Sequence, residues 1–458
     1  MNIIICGAGR VGFSISKQLT AQGHSITVID QSSEFIQKIN ETQDVKGIVG
    51  RATFPSVLDK AGAEDADMII AVTKNDETNM VICQVAHSIF NINKKIARIR
   101  TQEFLGKKWS KLYGQSNLPI DVIISPELEV AKSLQRKLDA PGALDSVPFA
   151  NGKIKVLEIS IGKNCPLVNT ELSKLTERFP DLRANVLGVI RGEKFIILKK
   201  KNKMLINDKA FVVVNASQVN ITLSAFGHEE KKAKKILIVG GGNIGFNLAK
   251  CLEDDSENVR VKIIEKDKSR SEFIANELND TIVINGSGLD EDVLKEANIE
   301  EAETILSLTN DDEDNIMVSV LAEKNNPNTR TIALVNKQNY SLLQSSLKIN
   351  DLVDPRLTTV STILKHVHKG TIETVYTLLD GEYEFIEAEI LETSELISKS
   401  IKDSNLPEEI RIGAIVRKKN VIIPKSNFIF EKKDLVVFLS KREHLEKVES
   451  LFRISSLA

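Results

Sequence analysis

Two glycine-rich segments of this sequence have the residue types and the spacing that hold a phosphate group. Gly7, Gly9 and Gly12 follow an apolar run near the start of the chain, and "GGGNIG" repeats the pattern about 230 residues later. In a G-x-G-x-x-G segment the first glycine allows a tight turn, the second lets a pyrophosphate approach the backbone, and the third lets helix and strand pack closely. The anion then meets the free amides at the positive end of a helix.

An acidic residue ends the next apolar run in both places. Asp30 closes "ITVID" and Glu265 closes "VKIIE". A carboxylate at this point accepts hydrogen bonds from the two hydroxyls of a ribose and repels a 2′-phosphate. The pattern therefore predicts two sites for NAD(H) or another adenosine nucleotide, in preference to NADP(H). Two purely structural glycine turns are the alternative.

Residues at the ends of other strands should border the same crevices, because ligands bind beyond the carboxyl ends of parallel strands. The residues placed there are Gly50, Thr73 and Lys74 in the first half, and Gly286, Thr309 and Asn310 in the second. Arg98 could reach a phosphate or a ribose, and it aligns with Leu334 in the second half. The two sites are therefore predicted to differ in affinity or in ligand. A solvated strand-end arginine is the alternative for Arg98.

Acidic residues follow Thr73 and Thr309. Asp76-Glu77 and Asp311-Asp312-Glu313 have the groups for a metal site or for acid–base chemistry. They also stand where helices begin, and acids there interact favourably with the helix dipole. We favour helix capping and interface contacts for them, and we predict no metal site.

The sequence does not indicate catalytic groups. None of the six histidines recurs at the same place in both halves, and no G-x-S-x-G, H-E-x-x-H or G-K-[ST] segment is present. We therefore predict no catalytic residues and a role in sensing or assembly. An NAD-dependent oxidoreductase is the alternative, because such enzymes pair a cofactor domain with a substrate domain.

The segments predicted to form the strands and helices around these residues are also repeated in the two halves. Gly50–Met80 aligns without a gap with Gly286–Ile316, and the match continues at lower similarity to the end of each half. Short apolar runs separated by helical patterns predict a parallel sheet covered on both faces. After each such unit, apolar and polar residues alternate with a period of two. The predicted fold class is α/β: two tandem Rossmann-like doubly wound sheets at residues 1–122 and 233–350, each followed by a small α+β domain, at 141–226 and 370–454.

Composition limits the remaining possibilities. The chain is 42% hydrophobic and 27% charged with a formal charge of −2, so nothing draws it as a whole to nucleic acid. No apolar run approaches the roughly 20 residues of a membrane-spanning helix, and the first residues lack the pattern of a signal peptide. We expect a cytoplasmic protein that acts at a membrane only as a peripheral partner.

These residues together resemble a known family. The series "GAGRVG", "VID", "GRAT", "AGAEDADMIIAVTKNDETNM" and "IARIR", repeated from "GGGNIG" onward, closely resembles the regulator-of-K⁺-conductance (RCK) domains. Two such domains in tandem, each with a small companion, are similar to the regulatory subunits of bacterial Trk potassium uptake systems. The resemblance covers essentially the whole chain and is most specific in the two larger units.

The resemblance implies a function, a set of ligands and a set of contacts. It implies a subunit on the cytoplasmic side of the inner membrane that binds NAD(H) and also ATP or ADP. It further implies assembly as a homo-oligomeric ring that gates a separate, membrane-embedded K⁺-translocating subunit, with no nucleic-acid partner. Carried over position by position, the nucleotide contacts are Gly7, Ala8, Gly9, Arg10, Val11, Gly12, Asp30, Thr73, Lys74 and Arg98, then Gly240, Gly241, Gly242, Asn243, Ile244, Gly245, Glu265 and Thr309.

One segment departs from the family pattern. The first small domain is rich in lysine, and it has Asn207-Asp208-Lys209 where a Gly-Asp pair is common in the family. This departure argues against a ligand role for that domain and leaves a role in contacting a partner open.

Overall fold

Short apolar runs form the strands of two parallel sheets and two antiparallel sheets. The computed structural model describes residues 1–114, 116–179, 182–192, 194–255, 259–337, 340, 344, 346–367, 374–378 and 382–452. The predicted domain boundaries at residues 370 and 454 lie outside this set.

The first parallel sheet has the strand order β3-β2-β1-β4-β5-β6. Its strands are β1 (Asn2–Cys6), β2 (Ser25–Asp30), β3 (Lys46–Val49), β4 (Met68–Ala71), β5 (Lys94–Arg98) and β6 (Val122–Ile124). The helices of this half are α1 (Arg10–Ala21), α2 (Ser33–Thr42), α3 (Pro55–Lys60), α4 (Asp76–Ser88), α5 (Gln102–Leu105) and α6 (Pro126–Asp139). The order reverses between β1 and β4, and ligands of doubly wound sheets bind at such a point.

A small antiparallel sheet with the order β10-β9-β11-β8-β7 follows. Its strands are β7 (Ala143–Phe149), β8 (Ile154–Ser160), β9 (Ala184–Arg191), β10 (Lys194–Ile197) and β11 (Lys209–Asn215), with helices α7 (Ser173–Arg178) and α8 (Val219–Ala225). Asn207, where the resemblance leads us to expect a glycine, has a φ of 70°. Asparagine therefore provides the left-handed turn that the glycine would otherwise allow.

The second half repeats both sheets. Its parallel sheet has the order β14-β13-β12-β15-β16-β17, from β12 (Lys235–Val239), β13 (Arg260–Glu265), β14 (Ile282–Asn285), β15 (Thr304–Ser307), β16 (Arg330–Leu334) and β17 (Asp351–Val353). Its helices are α9 (Asn243–Asp255), α10 (Lys268–Glu277), α11 (Glu291–Glu296), α12 (Asp312–Asn325) and α13 (Pro355–Lys365). The last sheet, β18-β19-β22-β20-β21, is antiparallel and comprises β18 (Thr374–Leu378), β19 (Tyr383–Glu389), β20 (Arg411–Arg417), β21 (Asn420–Ile422) and β22 (Leu435–Lys441), with helix α14 (Leu445–Phe452).

Local sequence explains where several helices begin. Ser32 accepts a hydrogen bond from the Phe35 amide at the start of α2, and Asp267 accepts one from Arg270 at the start of α10. These side chains satisfy amides that the first helical turn leaves free. By contrast, Gly9 precedes α1 and has no side chain with which to cap it.

Domains of the same type in the two halves belong to the same compact unit. One compact unit contains both parallel sheets (Met1–Gln135 and Ala233–His366), and the other contains both antiparallel sheets (Arg136–Lys232 and Val367–Ala458). In the first unit α1 packs against α13 of the other half. In the second unit one apolar core contains Phe195, Phe211, Tyr383 and Phe385, drawn from both small sheets.

The observed sheets confirm the predicted fold class of two Rossmann-like sheets with two small α+β companions. Among the described residues, no helix combines the length and the apolar character needed to cross a lipid bilayer.

Candidate functional site

The three glycines of the first loop have different surroundings. Gly7 has a φ of +114°, and a Cβ on it would lie 3.0 Å from the carbonyl carbon of Val72. A Cβ on Gly12 would lie 1.8 Å from the Gly7 oxygen, so α1 packs directly on the turn. A Cβ on Gly9 would meet nothing within 4 Å. The loop is therefore tight at both ends and open in the middle, where a phosphate would approach.

The second loop has the same geometry. Gly240 has a φ of +108°, a Cβ on Gly245 would lie 2.1 Å from the Gly240 oxygen, and a Cβ on Gly242 would meet nothing within 4 Å. The first amides of α1 and α9 have no partner within their own helix, because the first turn of any α-helix leaves them free. Each open glycine thus lies next to a helix N-terminus that favours an anion.

The two acids hold these loops in place. The Ala8 amide donates to Asp30 Oδ2 at 2.7 Å and the Ser32 amide to Asp30 Oδ1 at 2.8 Å. In the second half Gly241 donates to Glu265 Oε2 at 2.7 Å and Asp267 to Oε1 at 2.8 Å. Each carboxylate oxygen has a further lone pair, so it is able to accept a ribose hydroxyl as well.

Gly50 and Gly286 follow β3 and β14 at the edge of each crevice. Their amides donate to the Asp30 and Glu265 carbonyls at 2.8 and 2.9 Å. A Cβ on Gly50 would lie 2.9 Å from Val57, and one on Gly286 would lie 2.6 Å from Val293. Both glycines are therefore required for close packing at the strand ends.

The buried side chain of Asn79 holds Thr73 through hydrogen bonds, and its counterpart Asn315 holds Thr309 in the same way. Neither asparagine was predicted from the sequence. Asn79 Oδ1 accepts from the Thr73 amide at 2.9 Å and from Thr73 Oγ1 at 2.7 Å, while Asn79 Nδ2 donates to the Thr73 and Arg98 carbonyls. Asn315 makes the same four contacts with Thr309 and Leu334. The signal was available, because asparagine stands at the same register in "KNDETNM" and "NDDEDNI".

The acidic clusters have two structural roles: one of their residues caps a helix, and others accept hydrogen bonds from backbone amides. Asn75, not Asp76, caps α4, and Asp311 caps α12. Asp76 Oδ2 instead accepts from the amides of Arg100 and Thr101, at 2.9 and 2.8 Å. Asp312 holds the equivalent amides, those of Asn336 and Lys337. Among the described residues, no group of histidine, cysteine and acidic side chains could hold a metal ion.

The second crevice forms a cavity of about 470 Å³. The residues that line it include seven that were predicted from the sequence: Gly240, Gly242, Asn243, Glu265, Gly286, Thr309 and Asn310. Gly241 and Gly245 instead shape the loop, through the Glu265 contact and the helix packing described above.

Arg270 also lines this cavity, and sequence reasoning missed it. Its Nε donates to the Gly241 carbonyl at 2.8 Å and its guanidinium lies over the Phe273 ring. Burial lowers the pKa of Arg270, and the Glu265 charge opposes that shift. The first half has Phe35 at the same register. Arg270 therefore places a positive charge at the second phosphate loop that the first half does not have at this position.

Two of the remaining predicted residues of the first half are positively charged. Arg10 and Lys74 are exposed, and the equivalent positions of the second half are Asn243 and Asn310. The first loop thus has exposed cations of its own, and the second loop has neutral amides in their place.

A second cavity, of about 460 Å³, lies between the two halves of the first unit. Val11, Arg98 and Arg100 line it from the first half, and Gly242, Asn243 and Ile244 line it from the second. Arg98 Nη2 also donates to the Thr73 carbonyl at 2.5 Å. The structure thus places Arg98 beside Thr73 of its own half and in a cavity shared with the phosphate loop of the other half.

Comparisons with known proteins agree with this architecture. The family model described as TrkA-N domain matches residues 3–126 and 236–355, and the TrkA-C domain model matches residues 385–453. The Trk system potassium uptake protein TrkA of Azorhizobium caulinodans is 42% identical over 455 residues, covering 99% of both chains. The protein of the same description from Vibrio alginolyticus is 36% identical over 459 residues, with the same coverage.

Solved structures share the fold at low sequence identity. The crystal structure of the GsuK RCK domain matches 99% of this chain and 95% of its own, with a TM-score of 0.60 and 17% identity. The GsuK channel bound to NAD matches 99% of this chain and 79% of its own, with a TM-score of 0.60 and 16% identity.

Proposed function

This chain belongs to the TrkA family of Trk system potassium uptake proteins, and from that premise we propose that it is a nucleotide-binding regulatory subunit of a potassium transporter. In this role it binds a separate membrane-embedded K⁺-translocating subunit on the cytoplasmic side of the membrane and gates it. The observation that carries the proposal is the pair of open, acid-anchored phosphate loops, one in each half of a single unit.

We assign NAD(H) to the first crevice. Asp30 holds the loop through Ala8 and keeps a lone pair on each oxygen for the ribose hydroxyls. Its negative charge disfavours a 2′-phosphate. Arg10 and Lys74 are exposed beside this loop and supply positive charge for the pyrophosphate. The GsuK channel, which shares the fold, is described as bound to NAD.

We assign an adenine nucleotide, ATP or ADP, to the second crevice. Glu265 replaces Asp30 there, and Arg270 lies across the loop between Gly241 and Asn243. A guanidinium at this place suits a terminal phosphate, which carries more negative charge than either phosphate of a pyrophosphate bridge, because arginine pairs with phosphate through two parallel hydrogen bonds.

Nucleotide binding regulates by changing the balance between conformers. A ligand shifts that balance only if it binds one conformer more tightly than the other, and couplings of ~1–3 kcal/mol are typical. Here α1, whose N-terminus forms the first phosphate site, packs on α13 of the other half. A ligand that orders the start of α1 therefore acts directly on the contact between the halves.

Two matched substitutions test this assignment. Gly9→Val and Gly242→Val fill the open middle of each loop, where a Cβ meets nothing within 4 Å, so the fold should be retained. Gly162→Val is the control, because Gly162 has the same open surroundings in the other unit. Titration calorimetry with NAD⁺, NADH, ATP and ADP should show NAD(H) lost with Gly9→Val, ATP or ADP lost with Gly242→Val, and neither lost with the control.

The same variants test the function in cells. K⁺ uptake should lose its dependence on NAD(H) in Gly9→Val, and the protein should still co-purify with a Trk-type membrane subunit. Uptake that remains fully responsive to NAD(H) would refute the assigned role of the first crevice. Steady turnover of NAD⁺ with small alcohols or hydroxy acids would instead support an oxidoreductase. Light scattering of the purified protein tests the proposed homo-oligomeric ring.

A further inference from the structure

The loop that joins β10 to β11 in the first small domain exposes lysine and aliphatic side chains next to each other. Its residues 199–207 read "KKKNKMLIN", and we call this segment the lysine loop. All four of its lysines are exposed, and Leu205 and Ile206 are 37% and 43% exposed. The loop belongs to the compact unit that does not contain the phosphate loops, so nucleotide binding leaves these side chains without a role.

Most of these lysines have no carboxylate to balance them. Lys199 forms an ion pair with Glu408. For Lys200, Lys201 and Lys203 no ion pair is seen among the described residues. The lysine loop therefore presents positive charge that the chain itself does not compensate.

A buried ion pair fixes the turn that carries Leu205 and Ile206. Asp208 is 1% exposed and accepts hydrogen bonds from Arg191 Nε and Nη2 at 2.8 and 2.7 Å. Its Oδ2 also accepts from the Leu205 amide at 2.8 Å, and its own amide donates to the Leu205 carbonyl at 3.1 Å. A buried polar network whose members are all hydrogen-bonded makes the surrounding backbone rigid. The two aliphatic side chains are thus exposed by an anchored turn, and not because the loop lacks structure.

The second small domain builds the same turn. Asp434 accepts hydrogen bonds from Arg417 Nε and Nη2, each at 2.8 Å, and from the Glu431 amide at 2.9 Å. These are the contacts that Asp208 makes with Arg191 and with the backbone of the lysine loop. The same frame therefore supports the loop in both small domains.

The side chains on this frame differ between the two domains. Glu431 and Lys432 take the places of Leu205 and Ile206, and both form ion pairs within the chain. Where the first domain has lysine at 200, 201 and 203, the second has serine, asparagine and isoleucine at 426, 427 and 429. Because one frame carries both sets of side chains, the turn requires neither the lysines nor the aliphatic pair, and folding does not explain them.

An anionic lipid surface has the chemistry that matches this combination. Lysines near such a surface are attracted to its headgroups, and the attraction weakens with salt. Their aliphatic stems lie along apolar surface while the charged ends stay in water, and neighbouring aliphatic side chains bury apolar area at the boundary with the acyl chains. A protein partner fits less well, because protein interfaces are depleted in lysine and enriched in aromatic residues and arginine. The lysine loop contains neither an aromatic residue nor an arginine.

We propose that the lysine loop binds the anionic lipid surface of the membrane, with its lysines at the headgroups and with Leu205 and Ile206 at the boundary with the acyl chains. This inference goes beyond the proposed function, because it requires no nucleotide and neither crevice takes part in it. It gives the chain a contact with lipid in addition to its contact with the K⁺-translocating subunit.

The test gives the lysine loop the residues of its counterpart, in the full chain. The lysine variant carries Lys200→Ser and Lys201→Asn. The aliphatic variant carries Leu205→Glu and Ile206→Lys, which leaves the net charge unchanged. The same frame already accommodates each new residue in the second small domain, so both variants should fold, and thermal unfolding followed by circular dichroism checks this.

Binding is measured by sedimentation with vesicles of phosphatidylcholine alone and with vesicles of equal parts phosphatidylcholine and phosphatidylglycerol. We expect the wild-type chain to bind only the anionic vesicles, and to bind them less tightly as salt is raised. The lysine variant should bind them at least tenfold more weakly, a change of about 1.4 kcal/mol, and the aliphatic variant about threefold more weakly. The control variant, Lys425→Ser with Lys433→Asn, removes two lysines from the second loop and should bind as tightly as the wild-type chain.

Several outcomes would overturn the lipid contact. They are no binding to either kind of vesicle, equal binding to both, full binding by the lysine and aliphatic variants, and an equally large loss in the control. Full vesicle binding by the two variants, together with loss of co-purification with a Trk-type membrane subunit, would assign the loop to a protein partner instead. Calorimetry with NAD⁺ and ATP keeps this inference apart from the proposed function, because the variants should bind both nucleotides as the wild-type chain does. A chain that binds anionic vesicles but no nucleotide would refute the proposed function alone.

Discussion

Asn79→Asp is the substitution that best isolates how the strand ends are held. Asn79 is fully buried. In the aspartate, Oδ1 still accepts from the Thr73 amide and hydroxyl, but the atom that replaces Nδ2 faces the carbonyls of Thr73 and Arg98, now 3.3 and 2.8 Å away. Two donated hydrogen bonds are lost, and a charged oxygen is placed against two acceptors.

The magnitude follows from those contacts. Two hydrogen bonds contribute about 1 kcal/mol each, and leaving buried polar groups unpaired costs about 1–3 kcal/mol more. We therefore expect the free energy of unfolding to fall by about 3–5 kcal/mol at pH 8. Protonation turns the second oxygen into a donor, so the folded state should raise the pKa of this aspartate. Stability is then recovered at low pH and lost as the pH rises through that folded pKa.

The single tryptophan makes the measurement specific to one half. Trp109 lies in the first half and is 53% exposed, so its fluorescence during urea unfolding reports on that half. With a slope of about 2 kcal/mol per molar urea, the midpoint at pH 8 should shift by about 2 M, and by less at pH 5. Asn315→Asp is the matched control. It should shift the transition seen by circular dichroism more than the one seen by tryptophan.

Two results would refute this reasoning. One is an unchanged midpoint for Asn79→Asp at pH 8, which would mean that the four contacts of Asn79 do not hold the strand ends. The other is an equal destabilisation at pH 5 and pH 8, which would mean that the loss comes from packing and not from the charged oxygen.

Two further predictions concern the second small domain. Asp434 is fully buried and accepts hydrogen bonds from Arg417 Nε and Nη2, each at 2.8 Å. Asp434→Asn should lower the free energy of unfolding by about 2–4 kcal/mol. Calorimetric unfolding would detect this loss, and an unchanged transition would contradict the prediction. Burial raises the pKa of Glu384 to about 7 from 4.5, although the Arg442 charge opposes the shift. Because the folded state then binds more protons than the unfolded state, stability should fall by at most about 3 kcal/mol as the pH rises from 4.5 through 7. Glu384→Gln should remove that slope in urea unfolding at pH 5 and pH 8, and a slope that persists in the variant would exclude Glu384 as its source.

The fold was predictable because each element has a local cause. The strands of the parallel sheets are apolar along most of their length, as in Asn2–Cys6 with four of its five residues buried, and the glycine loops mark where helices follow strands. The grouping of like domains was not predictable, because it depends on which helix faces remain available after each sheet is covered. The pairing of α1 with α13 has no signal in either helix alone.

The candidate site was predictable where backbone chemistry determines it. The glycine spacing and the acid that ends β2 identify the phosphate loops, since few other residues allow those turns. Asn79 and Asn315 were missed because a buried amide in a helix has no local pattern, although its repetition in both halves was visible. Arg270 was missed because only the packed structure brings it across the loop from α10.

Comparison of the two halves separates the residues that build both crevices from those that differ between them. The residues that hold backbone groups are the same or alike in both copies: the two acids, the two threonines, the paired asparagines, and Asp76 with Asp312. The residues that line the shared cavity differ, as Arg98 and Leu334 do. Two identical chains would have to place the same residues on both sides of such a cavity. A duplicated chain does not, so each half is able to keep the frame of its crevice while the residues that line the cavity between the halves differ.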